Sequence, residues 1–382
     1  MTEAAQQAAD GLRALQAGDT RKAYKILSDA VSAGEDSPPV LRGLSLAARK
    51  AGYANESLEA AEKLLSRAPG DLEAMLLKAD ALNSLGNLRK ASEFYFAAVK
   101  SAPPQMSGPL ALEIERAKKE CQNAAVRYEE FLRSKVKEMG IFDGLGHTRG
   151  EQALDILFGR KQIYYQQPEK FYFPELPQIQ FYDPLQFAWT KELIAQTNSI
   201  LSELEAVLSG TEAFEAYVPA SSDTPHLHQS ALTGNTDWGA FHLIKDGVRI
   251  QDNVTKCPAT MSALSLTPQP NVKGKSPIAL FSRLKPGARI PPHTGLMNTR
   301  IICHLPLIIP DNCHLRVGNQ MRQWKPGEML IFDDSIEHEA RNQSASDRII
   351  LLFDIWRPEL GEDERGFISA IFDGIEEYGV FT

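Results

Sequence analysis

Along roughly the first 140 residues apolar side chains recur every three to four positions, whereas from Asp237 onward they alternate with polar ones in short runs. That change of period separates a helical half from a β half. The helical half also repeats itself. Gly18, Gly52 and Gly86 stand 34 residues apart, as do Ala23, Ser57 and Ala91, and Pro69 and Pro103 recur at the same interval. This predicts about three pairs of amphipathic helices over roughly residues 4 to 104, with glycines and small residues letting paired helices cross closely and prolines ending each second helix. The first repeat departs from the others, carrying Gly34-Glu35-Asp36 where they carry Ala-Pro. Helical spacing from about Leu110 to Met139 predicts a further helix that caps the array.

A tract rich in proline and aromatics from Phe171 to Phe187 reads as an extended lead-in, followed by a helix from about Phe187 to Leu208. Strands are then predicted at Trp238 to Ile244, Ile278 to Leu284, Arg300 to Pro306, His314 to Val317, Glu328 to Phe332 and Arg348 to Trp356. Lys285-Pro286-Gly287 and Lys325-Pro326-Gly327 supply turns. Short strands without intervening helices predict a sandwich or jelly roll rather than a doubly wound sheet. The expected fold class is multidomain α + β: helical repeats with a capping helix over residues 1–140, a linker at 141–164 and a β domain over 165–382.

Length and composition fit that division. A chain of 382 residues with 43% hydrophobic content can bury a core in each half. A net charge of −8 argues against nucleic acid as a partner, and basic residues such as Arg133, Lys135 and Lys137 read as a solvated helix face. Cys121, Cys257, Cys303 and Cys313 have neither zinc-site nor disulfide spacing. With a polar start at Met1–Gln7 and no run approaching 18 apolar residues, the expectation is a cytoplasmic chain with no membrane span.

The chemistry concentrates in the β half. Pro292-His293-Thr294-Gly295 is followed by Ile331-Phe332-Asp333-Asp334-Ser335-Ile336-Glu337-His338 and then by Arg348. Two histidines at strand ends in a jelly roll can meet at its mouth, and neutral imidazole suits Fe(II). The usual facial triad adds a carboxylate two residues after the first histidine, and here that position is Gly295. Asp333, Asp334 and Glu337 near His338 are read as turn or imidazole-orienting residues rather than a replacement ligand. Arg348 opens the last strand on one face with Ile350, Leu352 and Asp354, while Ile349, Leu351, Phe353 and Ile355 share the other. An arginine pointing into a barrel needs an anion, and the distal carboxylate of a dicarboxylate cosubstrate can pair with its guanidinium. Ser282 can donate to the same carboxylate, His304 can steer the other carboxylate, and Arg300 can hold an acidic group of the substrate.

Taken together, Trp238-Gly239-Ala240-Phe241-His242-Leu243, Ser282, Pro292-His293-Thr294-Gly295, Arg300, His304-Leu305, the segment from Ile331 to His338, Arg348 and Trp356-Arg357-Pro358-Glu359-Leu360 resemble the aspartyl/asparaginyl β-hydroxylase family of Fe(II)/2-oxoglutarate dioxygenases. The 34-residue repeat is similarly the tetratricopeptide (TPR) signature. The resemblance implies a TPR-like array ahead of a cupin-like double-stranded β-helix, and Fe(II) held by His293 and His338 with glycine in place of the carboxylate. It also implies 2-oxoglutarate contacts at Ser282, His304 and Arg348, O2 as co-reactant, and substrate-facing roles for Arg300 and Trp238. Family members acting on peptide aspartate carry a second arginine where this chain has Ile302. The expected reaction is hydroxylation at the β-carbon of Asp or Asn in a peptide gripped by the repeats. The alternatives are the same chemistry on a lipid or small metabolite, and an inactive TPR scaffold.

Overall fold

The computed structural model describes residues 2–140, 149–210, 214–218 and 234–379, and the chain divides into two compact units, Met1–Phe158 and Gly159–Thr382.

The first unit is a helical array: α1 (Glu3–Gln16), α2 (Thr20–Ser32), α3 (Pro38–Ala51), α4 (Ala54–Arg67), α5 (Leu72–Ser84), α6 (Leu88–Ser101), α7 (Pro109–Glu138) and α8 (Arg149–Leu157). Three helix pairs and a long capping helix follow the sequence period. The repeated glycines work differently from the expectation. Gly18, Gly52 and Gly86 lie in the turns within each pair at φ of 83°, 87° and 76°, a left-handed backbone that stops one helix and frees the next. Close crossing falls instead to buried Ala23, Ser57 and Ala91, and to Gly11, where an added Cβ would lie 2.7 Å from Leu27. The linker expected at 141–164 begins with residues outside the described set (141–148) and then carries α8, whose Asp155 pairs with Arg133 of α7.

The second unit contains β1 (Phe181–Tyr182), α9 (Thr190–Ala195), α10 (Thr197–Leu208), β2 (Glu215–Ala216), β3 (Trp238–Lys245), β4 (Val248–Arg249), α11 (Gln251–Val254), α12 (Pro258–Leu264), β5 (Ala279–Leu284), β6 (Arg289–His293), β7 (Arg300–Ile308), β8 (Cys313–Val317), β9 (Gln320–Gln323), β10 (Leu330–Phe332), β11 (His338–Asn342), β12 (Arg348–Trp356) and α13 (Glu362–Tyr378). The single helix expected from Phe187 to Leu208 is broken at Gln196, which closes α9 with its own N–H and precedes α10. Among the described residues the larger sheet runs β1-β10-β7-β12-β5-β3-β2, with β4 on β3, and the smaller runs β6-β11-β8-β9. All strand pairs are antiparallel.

One apolar layer, including Leu315 and Val317 of β8 and Ile350 and Leu352 of β12, lies between the sheets. A second covers the opposite face of the larger sheet, where Ile349, Leu351, Phe353 and Ile355 meet Leu193, Ile200 and Leu204 of α9 and α10. The two-sheet antiparallel architecture is the jelly roll that the strand spacing predicts, in the double-stranded β-helix form that the resemblance implies.

Candidate active site

The inward faces of the two sheets surround a cavity of about 310 Å³. Alternation decides what each strand contributes: β12 turns Arg348, Ile350 and Leu352 toward it, and β7 turns Arg300, Ile302 and His304.

His293 ends β6, His338 opens β11, and the two residues are directly paired across the strands. Their ring centroids are 4.1 Å apart. His293 Nδ1 lies 2.8 Å from the Pro291 carbonyl oxygen and His338 Nδ1 3.1 Å from that of Ile336. A carbonyl can only accept, so each Nδ1 carries the proton and each Nε2 keeps its lone pair, the form that binds a metal. Burial reinforces the neutral state. Desolvation, with the neighbouring His293 as second cause, pushes His338 down to about 3, and desolvation also lowers His293.

Gly295 leaves no room for a third ligand. A Cβ there would collide with the Asp334 carboxylate, and the Gly295 N–H donates to the Asp334 carbonyl at 2.7 Å. Among the described residues no three His, Cys, Asp or Glu side chains gather as a metal-binding group. The two other carboxylates near His338 are committed elsewhere: Glu337 pairs with Arg316 at 2.8 Å, and fully buried Asp333 pairs with fully buried Arg357 at 2.7 Å. Asp334 alone of the three lines the cavity, its Oδ1 has no hydrogen-bond partner, and burial pushes its carboxyl up to about 7.

Arg348 is 1% exposed, and its Nε and Nη1 have no hydrogen-bond partner. Its guanidinium lies 4.8 Å from the centre of the Trp324 ring. Desolvation lowers it to about 10, so it remains a cation at neutral pH. The Trp324 indole N–H donates to His304 Nδ1 at 3.2 Å. An indole N–H cannot accept, so His304 Nδ1 is bare, its proton sits on Nε2, and the ring is a neutral donor. Burial, Arg348 and His338 all hold His304 well below the ordinary imidazole range. Ser282 Oγ accepts from Trp238 Nε1 at 3.1 Å, which leaves its own O–H free to donate. Trp238 thus supports Ser282 while its ring stacks on Tyr217 at 3.8 Å.

Every residue singled out in the sequence, Trp238, Ser282, His293, Gly295, Arg300, His304, His338 and Arg348, lines this one cavity. Sequence reasoning did not single out Trp324, Tyr217 or Glu169, which line it too. A lone Trp beside a Lys-Pro-Gly turn carries no distinguishing signal, and Tyr217 lies on the far side of the undescribed residues 219–233. The Asp333–Arg357 pair was likewise missed as a unit. Gln166 donates to Asp333 at 2.8 Å, Asn298 to Gln166 at 2.9 Å, and Arg357 to the Asn298 carbonyl at 3.1 Å. This network joins the turn before His338 to the loop after His293.

Two neutral imidazoles side by side, a glycine packed against Asp334 and a buried arginine without a hydrogen-bonded anion thus share one cavity of a double-stranded β-helix domain. Residues 195–358 match the family described as Aspartyl/Asparaginyl beta-hydroxylase. Aspartate beta-hydroxylase domain-containing protein 2 of Xenopus tropicalis is 35% identical over 214 residues, 54% of this chain and 55% of that protein. Ornithine lipid ester-linked acyl 2-hydroxylase of Rhizobium tropici is 33% identical over 180 residues, 46% of this chain and 60% of that protein. The chain thus spans little more than half the length of these relatives. For the helical unit, the Sgt2 TPR domain from Aspergillus fumigatus is 19% identical and covers 32% of this chain and 82% of that chain, at a TM-score of 0.28.

Proposed function

We propose that the second unit is an Fe(II)- and 2-oxoglutarate-dependent dioxygenase that hydroxylates an unactivated C–H bond. Arg348 carries this reading: a buried cation with bare N–H groups beside two neutral imidazoles fits an anionic cosubstrate reaching past a metal. His293 and His338 would hold Fe(II) through Nε2. When bound, iron and 2-oxoglutarate together supply the oxidising chemistry, with O2 consumed and succinate and CO2 released.

The chain's own residues hold and orient. Arg348 would pair with the distal carboxylate of 2-oxoglutarate and Ser282 O–H would donate to it. His304, fixed as an Nε2–H donor by Trp324, would donate to the carboxylate at the other end. Gly295 and Asp334 would keep a third protein ligand away from the metal and leave positions for exogenous oxygen donors. A peptide gripped by the helical repeats in a cytoplasmic setting is the expected substrate. The Rhizobium relative's name, an acyl hydroxylase, supports a lipid as the second reading.

Succinate release under anaerobic Fe(II) loading followed by air tests the reaction, and quenching of tryptophan fluorescence by 2-oxoglutarate tests the pocket independently. Both signals should appear in the wild type, and Arg348→Ala should weaken 2-oxoglutarate binding at least tenfold. His293→Ala should abolish succinate release. Absence of both signals in folded wild-type protein would leave the scaffold alternative standing.

A further inference from the structure

The pairing of β12 with β7 places Arg300 opposite Trp356, at the far end of the strand from Arg348. The two arginines therefore serve different ends of the cavity, and they differ in charge balance. Arg300 Nη1 donates to Asp354 Oδ2 at 2.9 Å, and Arg300 Nη2 lies 3.7 Å from Asp334 Oδ2. Asp354 is wholly buried and is held also by the Ile278 N–H at 2.8 Å and by Ser276 Oγ. Two carboxylates thus face one guanidinium, Asp354 from behind the cavity wall and Asp334 on it, and Glu169 is a second carboxylate on that wall. Among the described residues Arg300 and Arg348 are the arginines and lysines that line the cavity, so the Arg300 end has no cation left over.

That arrangement bears on the substrate. Above about pH 7, where Asp334 is ionised, a substrate carboxylate placed beside Arg300 would meet Asp334 on the wall and Asp354 behind it across a poorly solvated space, where like charges repel strongly. Asp334 Oδ1, by contrast, is a buried acceptor without a donor at the cavity wall. Buried acceptors are nearly always satisfied. Ile302, also lining the cavity, adds no charge.

Resting on the dioxygenase reading above, we propose that Asp334 is a specificity-determining residue: the substrate presents an N–H donor, amide or ammonium, to its free oxygen, and a carboxylate in that position is rejected. Arg300 then acts mainly as the clamp that holds Asp334 and Asp354.

The test is isothermal titration at about pH 8, above the Asp334 carboxyl, of the full chain with three capped heptapeptides, alanine throughout except for a central Asn, Lys or Asp, with and without 2-oxoglutarate. The Asn or Lys peptide should bind at least tenfold more tightly than the Asp peptide. Asp334→Ala should bring the three within about twofold of one another. Asp354→Asn, which frees Arg300, should strengthen binding of the Asp peptide at least tenfold; should it fail to fold by circular dichroism, the Asp334→Ala ranking decides. Equal or tighter binding of the Asp peptide by the wild type, no binding of any peptide, or an unchanged ranking in Asp334→Ala would overturn the proposal. Loss of the fluorescence response to 2-oxoglutarate with the ranking intact would overturn the dioxygenase reading alone.

Discussion

At the scale of single residues, the cavity is built from groups whose protons are fixed by their surroundings. His293 and His338 are set by backbone carbonyls and His304 by an indole, and burial keeps all three below the ordinary imidazole range. The unfolded chain would take up a proton at each near pH 6.5, whereas the fold resists it until lower pH, about 3 for His338. The stability they contribute is therefore present above about pH 6.5 and lost as pH falls toward the folded values. Asp334 runs the other way. Its carboxyl, raised to about 7, is protonated in the fold over a range where the unfolded chain is ionised, so it favours the fold as pH falls. Four lowered imidazoles, His242 included, outweigh two raised carboxyls, Asp334 and Asp333, and the metal-free second unit should lose stability between pH 7 and pH 5, by about 1.4 kcal/mol per pH unit for each uncompensated proton. Urea midpoints read by tryptophan fluorescence check this; a midpoint that holds or rises at pH 5 would mean that the imidazoles are not held neutral.

At the scale of elements, legibility followed the regularity of each strand's surroundings. β7 and β12 are central strands with long apolar alternation, and their inward and outward faces came out as the sequence implies. The histidines stand at strand ends as the sequence implies, but the extent of their two strands was not legible. β6 reads Arg-Ile-Pro-Pro-His, and two prolines are tolerated because it is the edge of the smaller sheet. β11 reads His-Glu-Ala-Arg-Asn, mostly polar yet largely buried because Glu339 is held by Arg289 and Arg316 and Asn342 by backbone carbonyls. α13 keeps helical spacing at Ile368, Ile371, Phe372 and Ile375, a short signal at the end of a strand-rich half. What no local pattern shows is the wiring between elements, and the Asp333–Arg357 pair is the clearest case. Removing one partner of a buried pair strands the other, so Arg357→Ala and Asp333→Ala should each destabilise the second unit by about 3–5 kcal/mol. The double variant should cost less than the two single changes added together, and strict additivity in urea unfolding would show that the pair is not coupled.

At the scale of the whole molecule, the two units keep separate cores: the helical clusters draw on residues up to Cys121, and the β clusters begin at Tyr164. The sequence period located the first core and the strand alternation the second, because each is built from one repeating geometry. All four tryptophans, Trp189, Trp238, Trp324 and Trp356, lie in the second unit, so fluorescence reports on it alone while helical circular dichroism is weighted toward the first. Asp80 supplies the matching perturbation. Buried on α5, it accepts from Tyr95 of α6 at 2.5 Å and Arg116 of α7 at 2.9 Å, and it also pairs with Arg49 of α3. One carboxylate thereby ties four helices. Asp80→Ala leaves these donors without their acceptor and should cost the array about 1–3 kcal/mol. In thermal melts of the full chain the circular-dichroism midpoint should fall, while the fluorescence midpoint and the 2-oxoglutarate response stay at wild-type values. Separate cores require that asymmetry, and a parallel fall of both midpoints would show that the two units unfold as one cooperative body.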